Sequence, residues 1–277
     1  MIQQPTNITP DKIVINKLKE YQDEIDALAT FQLKSEKAKD IFPQRNKIGN
    51  ATFDAIKVKL TEMCSGARRC AYCEDSVGDE VEHIHPKDLY PDMCFNWSNY
   101  VYACGNCNGP KNNKFAIFRH DNGVFHPVNP LRGTKATQPP AGDDAMINPR
   151  TESGLDFCML DLQTTFKFVV IKKPGTREAQ KADYTFNEVL RLNEREFLRK
   201  ARETAFINYK SRLGYYSSEK TKGTSQQKLD ILIENLKKEA HPTVWKEMQR
   251  QHSQGILKKI DNDLDDLFVK SPESLTW

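Results

Sequence analysis

Apolar residues near the start of the chain recur at the spacing of an amphipathic helix. Between residues 9 and 31 they follow one another at steps of four and three, at Val14, Leu18, Tyr21, Ile25 and Leu28. Such a stripe typically packs one face of a helix against a core. Thr9 suits an N-cap and Pro10 a first turn. The pattern therefore predicts a helix over residues 9–31.

A second apolar stripe begins after Asn50 and ends before Ser65 and Gly66. Its members share one helix face and are Phe53, Ile56, Leu60 and Met63. This spacing predicts a second helix. We interpret both stripes as core packing rather than as chemistry.

The pattern changes in the middle of the chain. Residues 120–150 are rich in Pro, Gly, Asn and Asp, which indicates a long loop or a hinge. Residues 155–173 carry β-branched and aromatic side chains in partial alternation, which predicts one or two strands.

From about Arg177 onward the apolar spacing is again helical, with a polar break at residues 214–225. Further helices are predicted over QKLDILIENLKKEA, from Pro242, and from Ile256 to Phe268. The predicted fold class is α+β and mostly helical. We expect four regions: an N-terminal helical segment at 1–66, a core at 67–120, a loop with short strands at 121–176, and a helical region at 177–277.

Composition places the 277-residue chain among soluble proteins, with 38% hydrophobic residues, 29% charged residues and a mean hydropathy of -0.69. The sequence has no apolar run of the roughly 18 residues that a membrane helix needs and no secretory signal, so a cytoplasmic protein is expected. The net charge of +3 is low for a protein that coats nucleic acid. Any contact with phosphates must then come from local clusters or from a partner.

Four of the seven cysteines form two C-x-x-C pairs, Cys70 with Cys73 and Cys104 with Cys107. Two such pairs suit the tetrahedral coordination of a structural Zn²⁺, whose closed shell leaves no open position. Buried or redox-active cysteines are the alternative, although no βαβ pattern surrounds either pair. The unpaired cysteines are interpreted as small apolar residues, and these are Cys64, Cys94 and Cys158.

The segment between the pairs contains candidate chemistry. VGDEVEHIHP is typical of a short strand that runs into a proline, and a helix is predicted to start near Cys104. Closure by zinc would bring Glu82 and His83 near Asn108 at the start of that helix.

CAYCE, VEHIHPK and WSNYVYACGNCNGPK, within residues 70–114, together resemble the motif of the HNH, or ββα-metal, endonuclease family with a zinc-knuckle support. With CGNCNGPKNNKF and KADYTFNEVLRLNEREFLRKAR, the chain is more narrowly similar to the HNH components of bacterial anti-phage systems of the Septu and retron-associated kind. Such proteins are encoded with an ABC-type ATPase partner. The resemblance implies that residues 67–120 form the nuclease core.

The resemblance also implies roles for individual residues. His83 would be the general base, for which an ordinary histidine pKa is suitable. Glu82 and Asn108 would hold one Mg²⁺ or Mn²⁺. Asn99 would fix the geometry of its loop and could orient His83.

Several of these assignments have alternatives. Glu82 and His83 would point to opposite faces of a regular strand, so both reach one site only if the strand ends there. Asn108 could instead cap a helix, and His85 could be an accessory ligand, a phosphate contact or a bystander. Three lysines are candidate phosphate contacts or ordinary surface residues, and these are Lys87, Lys111 and Lys114.

The sequence thus predicts a metal-dependent endonuclease that hydrolyses phosphodiester bonds and acts in anti-phage defence with an ATPase partner. DNA is favoured over RNA, although the chemistry would attack either. The helical C-terminal region is expected to dock a partner or substrate. The alternative is a zinc-bearing module that binds nucleic acid or a partner without catalysis.

Overall fold

Three helices form the N-terminal part of the chain in the computed structural model, which describes residues 1–129 and 134–277. They are α1 (Lys12–Asp26), α2 (Phe31–Arg45) and α3 (Ala51–Met63). The predicted helix over residues 9–31 was wrong at both ends, because Asp11 is the N-cap of α1 and a separate helix starts at Phe31. The sequence did not reveal α2, whose mainly polar residues and internal Pro43 obscure its apolar face.

The prediction for α3 is confirmed. The Asn50 side chain accepts hydrogen bonds from the backbone N–H groups of Thr52 and Phe53, which satisfies two free donors at the helix start. All four residues of the predicted stripe are buried.

The central segment forms a ββα unit. Strand β1 (Glu80–His83) pairs antiparallel with β2 (Tyr100–Ala103), and helix α4 (Gly105–Lys111) follows directly. In this register Glu82 lies opposite Val101, and His83 lies opposite Tyr100. The predicted strand before Pro86 and the helix near Cys104 are therefore confirmed.

Residues 120–150 are not simply a loop, which corrects that prediction. Strands β3 (Ala116–Arg119), β4 (Phe125–Pro127) and β5 (Gly142–Asp144) form an antiparallel sheet in the order β4-β3-β5. The strands have only three or four residues each, too few to show a period. Residues 130–133 of the predicted loop lie outside the described residues. The predicted strands at 155–173 are confirmed as the antiparallel pair β6 (Cys158–Leu160) and β7 (Phe168–Val170).

The rest of the chain is helical. Helix α5 (Arg177–Asp183) continues as a π-helical turn at Tyr184–Val189, and α6 spans Glu196–Thr221. The remaining helices are α7 (Gln226–Lys237), α8 (Pro242–Ser253), α9 (Leu257–Ile260) and α10 (Asn262–Lys270).

Two details of this region differ from the prediction. Helix α6 runs through most of the predicted polar break, because Leu213 and Tyr216 continue its buried face. The single helix predicted over Ile256–Phe268 is divided at Asp261, whose carboxylate accepts a hydrogen bond from the Leu264 N–H and caps α10. The predicted fold class, α+β and mostly helical, is confirmed.

The β1–β2 hairpin separates two hydrophobic clusters. Tyr100 and Tyr102 of β2 pack with the N-terminal helices, whereas Val101 and Ala103 belong to a larger cluster. This division follows the alternation of side chains along a strand. The larger cluster contains Met1 and residues from Cys70 to Phe268, including those of the C-terminal helices. None of the helices in the described parts of the chain is long and apolar enough to cross a membrane.

Candidate active site and metal centre

The four cysteines of the C-x-x-C pairs meet in one buried cluster. Their Sγ atoms all lie within 4.8 Å of one another, and those of Cys73 and Cys104 are 3.8 Å apart. A tetrahedral site with Zn–S bonds of about 2.3 Å has S···S edges of about 3.8 Å. The cluster, completed by Cys70 and Cys107, therefore fits a structural Zn²⁺.

Distant parts of the chain contact this cluster. Arg195 Nη2 lies 3.3 Å from Cys107 Sγ, where its positive charge favours a thiolate. Burial alone would raise the pKa of Glu74, which follows Cys73, but the Met1 ammonium and the Thr243 hydroxyl lower it. Both groups contact the Glu74 carboxylate, at 3.1 Å and 2.7 Å. The cysteine cluster is thereby connected to α8.

The end of β1 brings together three of the predicted site residues. Glu82, His83 and Asn108 line one cavity of about 220 Å³. β1 ends at His83, three residues before Pro86. Both residues border this cavity, although Glu82 lies opposite Val101 and His83 opposite Tyr100, on the two faces of the hairpin.

Glu82 forms a buried ion pair. Its Oε1 lies 2.5 Å from Lys111 Nζ, and Lys111 is fully buried. Lys111 Nζ also donates a hydrogen bond of 2.8 Å to the His83 carbonyl. Burial raises the pKa of Glu82, although the Lys111 ammonium counteracts this. Lys111 was predicted to contact phosphate. Its buried position disagrees with that prediction, since the protein encloses the Lys111 ammonium.

His83 is held in a fixed orientation. Its ring packs against Phe42 and Tyr100, with centroid distances of 4.3 Å and 5.2 Å. Its Nε2 lies 2.9 Å from the Cys94 carbonyl oxygen. Because a carbonyl only accepts hydrogen bonds, Nε2 carries the proton and Nδ1 keeps its lone pair.

The pKa of His83 differs from the ordinary value expected from the sequence. Burial lowers it to about 3, and the nearby Lys87 and Lys111 ammonium groups act in the same direction. The imidazole is therefore neutral at neutral pH.

Asn99 is buried and fixes the backbone after β1. Its Oδ1 accepts a 2.7 Å hydrogen bond from the His85 N–H, and its Nδ2 donates to the carbonyls of His85 and Met93 at 3.0 Å each. These bonds hold both ends of the loop that follows His83.

Asn108 lies within α4, where its Nδ2 donates a 2.6 Å hydrogen bond to Glu80 Oε2. The N-cap of α4 is Cys104 and its C-cap is Asn112, so Asn108 caps neither end of the helix. Its Oδ1 accepts no hydrogen bond from the residues that the structure describes, so this oxygen is available as a ligand.

Two other lysines were predicted to contact phosphate. Lys87 lines the cavity with His83, and its Nζ lies 3.3 Å from Asp88 Oδ1. Lys114 is half-buried and follows α4.

His85 faces a different cavity from His83. Its Nε2 lies 2.9 Å from Asp144 Oδ1, and its Nδ1 lies 3.3 Å from Asn99 Oδ1. The sequence did not indicate Asp144, which is 59 residues away and reaches His85 through β5. No local pattern could have identified this pair.

The cavity at Glu82 combines a carboxylate, an amide oxygen and a neutral imidazole. Hard oxygen ligands of this kind suit Mg²⁺ or Mn²⁺. Glu82 Oε1 is the atom that pairs with the Lys111 ammonium at 2.5 Å, so this carboxylate oxygen already has a cationic partner.

Comparison with known proteins gives a partial similarity. No family model matches the chain, and no solved structure gives a significant match. A segment of 68 residues is 37% identical to the Septu protein PtuB of Bacillus thuringiensis, which corresponds to 23% of this chain and 26% of that protein. The chain thus matches about a quarter of the length of this curated relative. Over that part, it is similar to a Septu protein.

Proposed function

We propose that this protein is a metal-dependent endonuclease of the HNH type, which hydrolyses phosphodiester bonds in nucleic acid, with DNA favoured over RNA. The observation that carries the proposal is the convergence of Glu82, His83 and Asn108 on one cavity. The nearby cysteine cluster, suited to zinc, supports the two segments that supply them.

Glu82 and Asn108 are the residues that would hold the catalytic cation, through a carboxylate oxygen and the amide Oδ1. When bound, the cation would stabilise negative charge on the phosphate and on the leaving oxygen. The buried Lys111 holds Glu82 and the His83 carbonyl in place, so we assign it a positioning role.

His83 would accept a proton from the attacking water at Nδ1. The Cys94 carbonyl orients the ring and stabilises the imidazolium that forms. A bound phosphate would raise the low pKa of His83, because a nearby negative charge favours the protonated ring. Lys87 and Lys114 remain the candidates for contacts with phosphates.

A catalytically inactive binding module is the second candidate. The Lys111–Glu82 pair favours it, since the carboxylate already has a cationic partner. This module would bind nucleic acid and leave it intact.

We further propose that the protein acts in anti-phage defence with an ABC-type ATPase, and that the helical C-terminal region contacts this partner. Tyr215 of α6 and Ile231 of α7 are about half exposed. Tyr215 interacts with Lys228, which shares a face of α7 with Ile231. These residues form a surface that a partner could cover.

The function is tested by incubating the zinc-loaded protein, alone and with the partner ATPase, with plasmid DNA and structured RNA. Internal cleavage is expected with Mg²⁺ or Mn²⁺ and not with EDTA, because the proposed reaction needs a cation at Glu82 and Asn108. Binding without cleavage under all these conditions would favour the inactive module.

A further inference from the structure

A second cavity has a volume of about 620 Å³. One of its lining residues is a sequence neighbour of residues that line the candidate active site. His85 lines this cavity, whereas the next two residues, Pro86 and Lys87, line the cavity that contains His83. The volume lies within the roughly 300–1,000 Å³ that is usual for small-ligand sites. It is large enough for a nucleotide.

The lining of this second cavity combines flat apolar surfaces with a few polar groups. Phe31, Tyr90, Pro139 and Pro140 supply the apolar part. Aromatic side chains of this kind can stack on a nucleobase. Lys34 also lines the cavity and could contact a phosphate.

The Asp144 carboxylate is oriented within this cavity by its contact with His85. Both ring nitrogens of His85 face acceptors, Asp144 Oδ1 at 2.9 Å and Asn99 Oδ1 at 3.3 Å, and the ring packs against Tyr90 and Phe115. Asp144 Oδ2 accepts no hydrogen bond within residues 1–129 and 134–277, and 32% of the side chain is exposed. Oδ2 and the second lone pair of Oδ1 are thus available to a ligand.

We propose that this cavity binds an unpaired guanine base of the nucleic-acid substrate, an inference that rests on the proposed function. Guanine presents two adjacent N–H donors, at N1 and N2, on its Watson–Crick edge. Asp144 Oδ2 and the second lone pair of Oδ1 can accept both, whereas adenine and cytosine place an acceptor beside their amino group. This edge is occupied in a duplex, so the base must be single-stranded or flipped out.

The active site and the guanine pocket are linked through Asn99. Its side chain bonds both the N–H and the carbonyl of His85, which lies two residues after His83. Because His85 lines the pocket and the next residue, Pro86, lines the cavity of His83, we expect a base in the pocket to place its own nucleotide beside the phosphodiester at His83. The enzyme would cleave near guanines in unpaired segments.

The test is equilibrium binding of dGMP, dAMP, dCMP and dTMP to the zinc-loaded, full-length protein, measured by titration calorimetry. We expect dGMP to bind about tenfold more tightly than the others, and Asp144→Asn to remove that preference. The matched control is Asp143→Asn, because the neighbouring Asp143 is 61% exposed and pairs with Arg177 and His120 instead. It should retain the preference.

A second variant covers the case in which Asp144→Asn does not fold. Pro140→Glu adds a longer, negatively charged side chain at an exposed position of the pocket lining; because it fills space and repels the nucleotide phosphate, it should abolish dGMP binding. Equal affinities for the four nucleotides, or unchanged dGMP binding in both variants, would overturn the inference. If the wild-type protein cleaves nucleic acid but shows no preference for dGMP, only the pocket is refuted. If the wild-type protein prefers dGMP but cleaves nothing, only the nuclease is refuted.

Discussion

At the level of single residues, the candidate site depends on groups that are buried and paired. The motif indicated Glu82, His83, Asn99 and Asn108 because their types and order resemble those of a known nuclease. The partners of these residues could not be predicted, since sequence spacing gives neither burial nor distance. Lys111 is the clearest example: it was predicted as a phosphate contact, and the structure encloses it beside Glu82.

Replacing Lys111 with Met should destabilise the protein strongly. The change leaves the Glu82 carboxylate buried without its partner, which typically costs about 3–5 kcal/mol. Chemical denaturation of the zinc-loaded protein measures this as a lower free energy of unfolding. Lys114→Met, at a half-buried position beyond the same helix, should change it by less than about 0.5 kcal/mol. Equal effects of the two changes would contradict the role assigned to Lys111.

Asn99→Ala should also lower stability, because it removes three hydrogen bonds to the backbone and leaves buried backbone groups unsatisfied. The expected loss is about 1–3 kcal/mol in the free energy of unfolding. Asn96→Ala is the control, since Asn96 is exposed and caps only a short turn. A smaller loss for Asn99→Ala than for Asn96→Ala would show that the loop does not depend on Asn99.

At the level of elements, the cysteine cluster joins the segment before β1 to the start of α4. The elements that the sequence predicted well have either a clear stripe and cap, as α3 does, or a motif, as β1 and α4 do. Helix α2 and strands β3 to β5 were missed because their residues are polar or their length is short. Contacts with distant segments stabilise them, such as the hydrogen bond from Ser35 Oγ to the Asp88 carbonyl.

Zinc should be needed for this central unit to fold. Elemental analysis of the wild-type protein is expected to find about one zinc per chain, and Cys104→Ser should lower that content and the thermal stability together. Cys64→Ser should keep the zinc, because Cys64 lies outside the cluster. The serine hydroxyl can also donate a hydrogen bond to the Leu60 carbonyl, as the Cys64 thiol does. A folded wild-type protein without zinc would contradict this prediction.

At the level of the whole molecule, the C-terminal helices share a hydrophobic cluster with the cysteines. Leu236, Val244, Trp245 and Met248 are all buried in that cluster. The sequence predicted helices here but could not predict this packing, which depends on contacts between residues far apart in the chain. A deletion after about residue 215 would therefore remove part of the core, and partner binding is better tested by a surface change.

Ile231→Glu should prevent binding of the partner ATPase without unfolding the protein. Ile231 is 55% exposed, so a charge is tolerated in the free protein but opposes burial in an interface. Co-purification with the ATPase measures the effect, and Ile13→Glu, at an exposed position on α1, is the control. Normal co-purification of the Ile231→Glu protein would exclude this surface as the docking site.

The role of His83 as general base is tested by the single-turnover cleavage rate of the His83→Ala variant in Mg²⁺ or Mn²⁺. Removing a general base is expected to lower the rate by about 10² to 10⁴-fold, with zinc content unchanged and nucleic-acid binding retained. His120→Ala is the control, because His120 is 59% exposed and pairs with Asp143 outside the cavity; its rate should equal that of the wild type. Cleavage by His83→Ala at the wild-type rate would contradict the account.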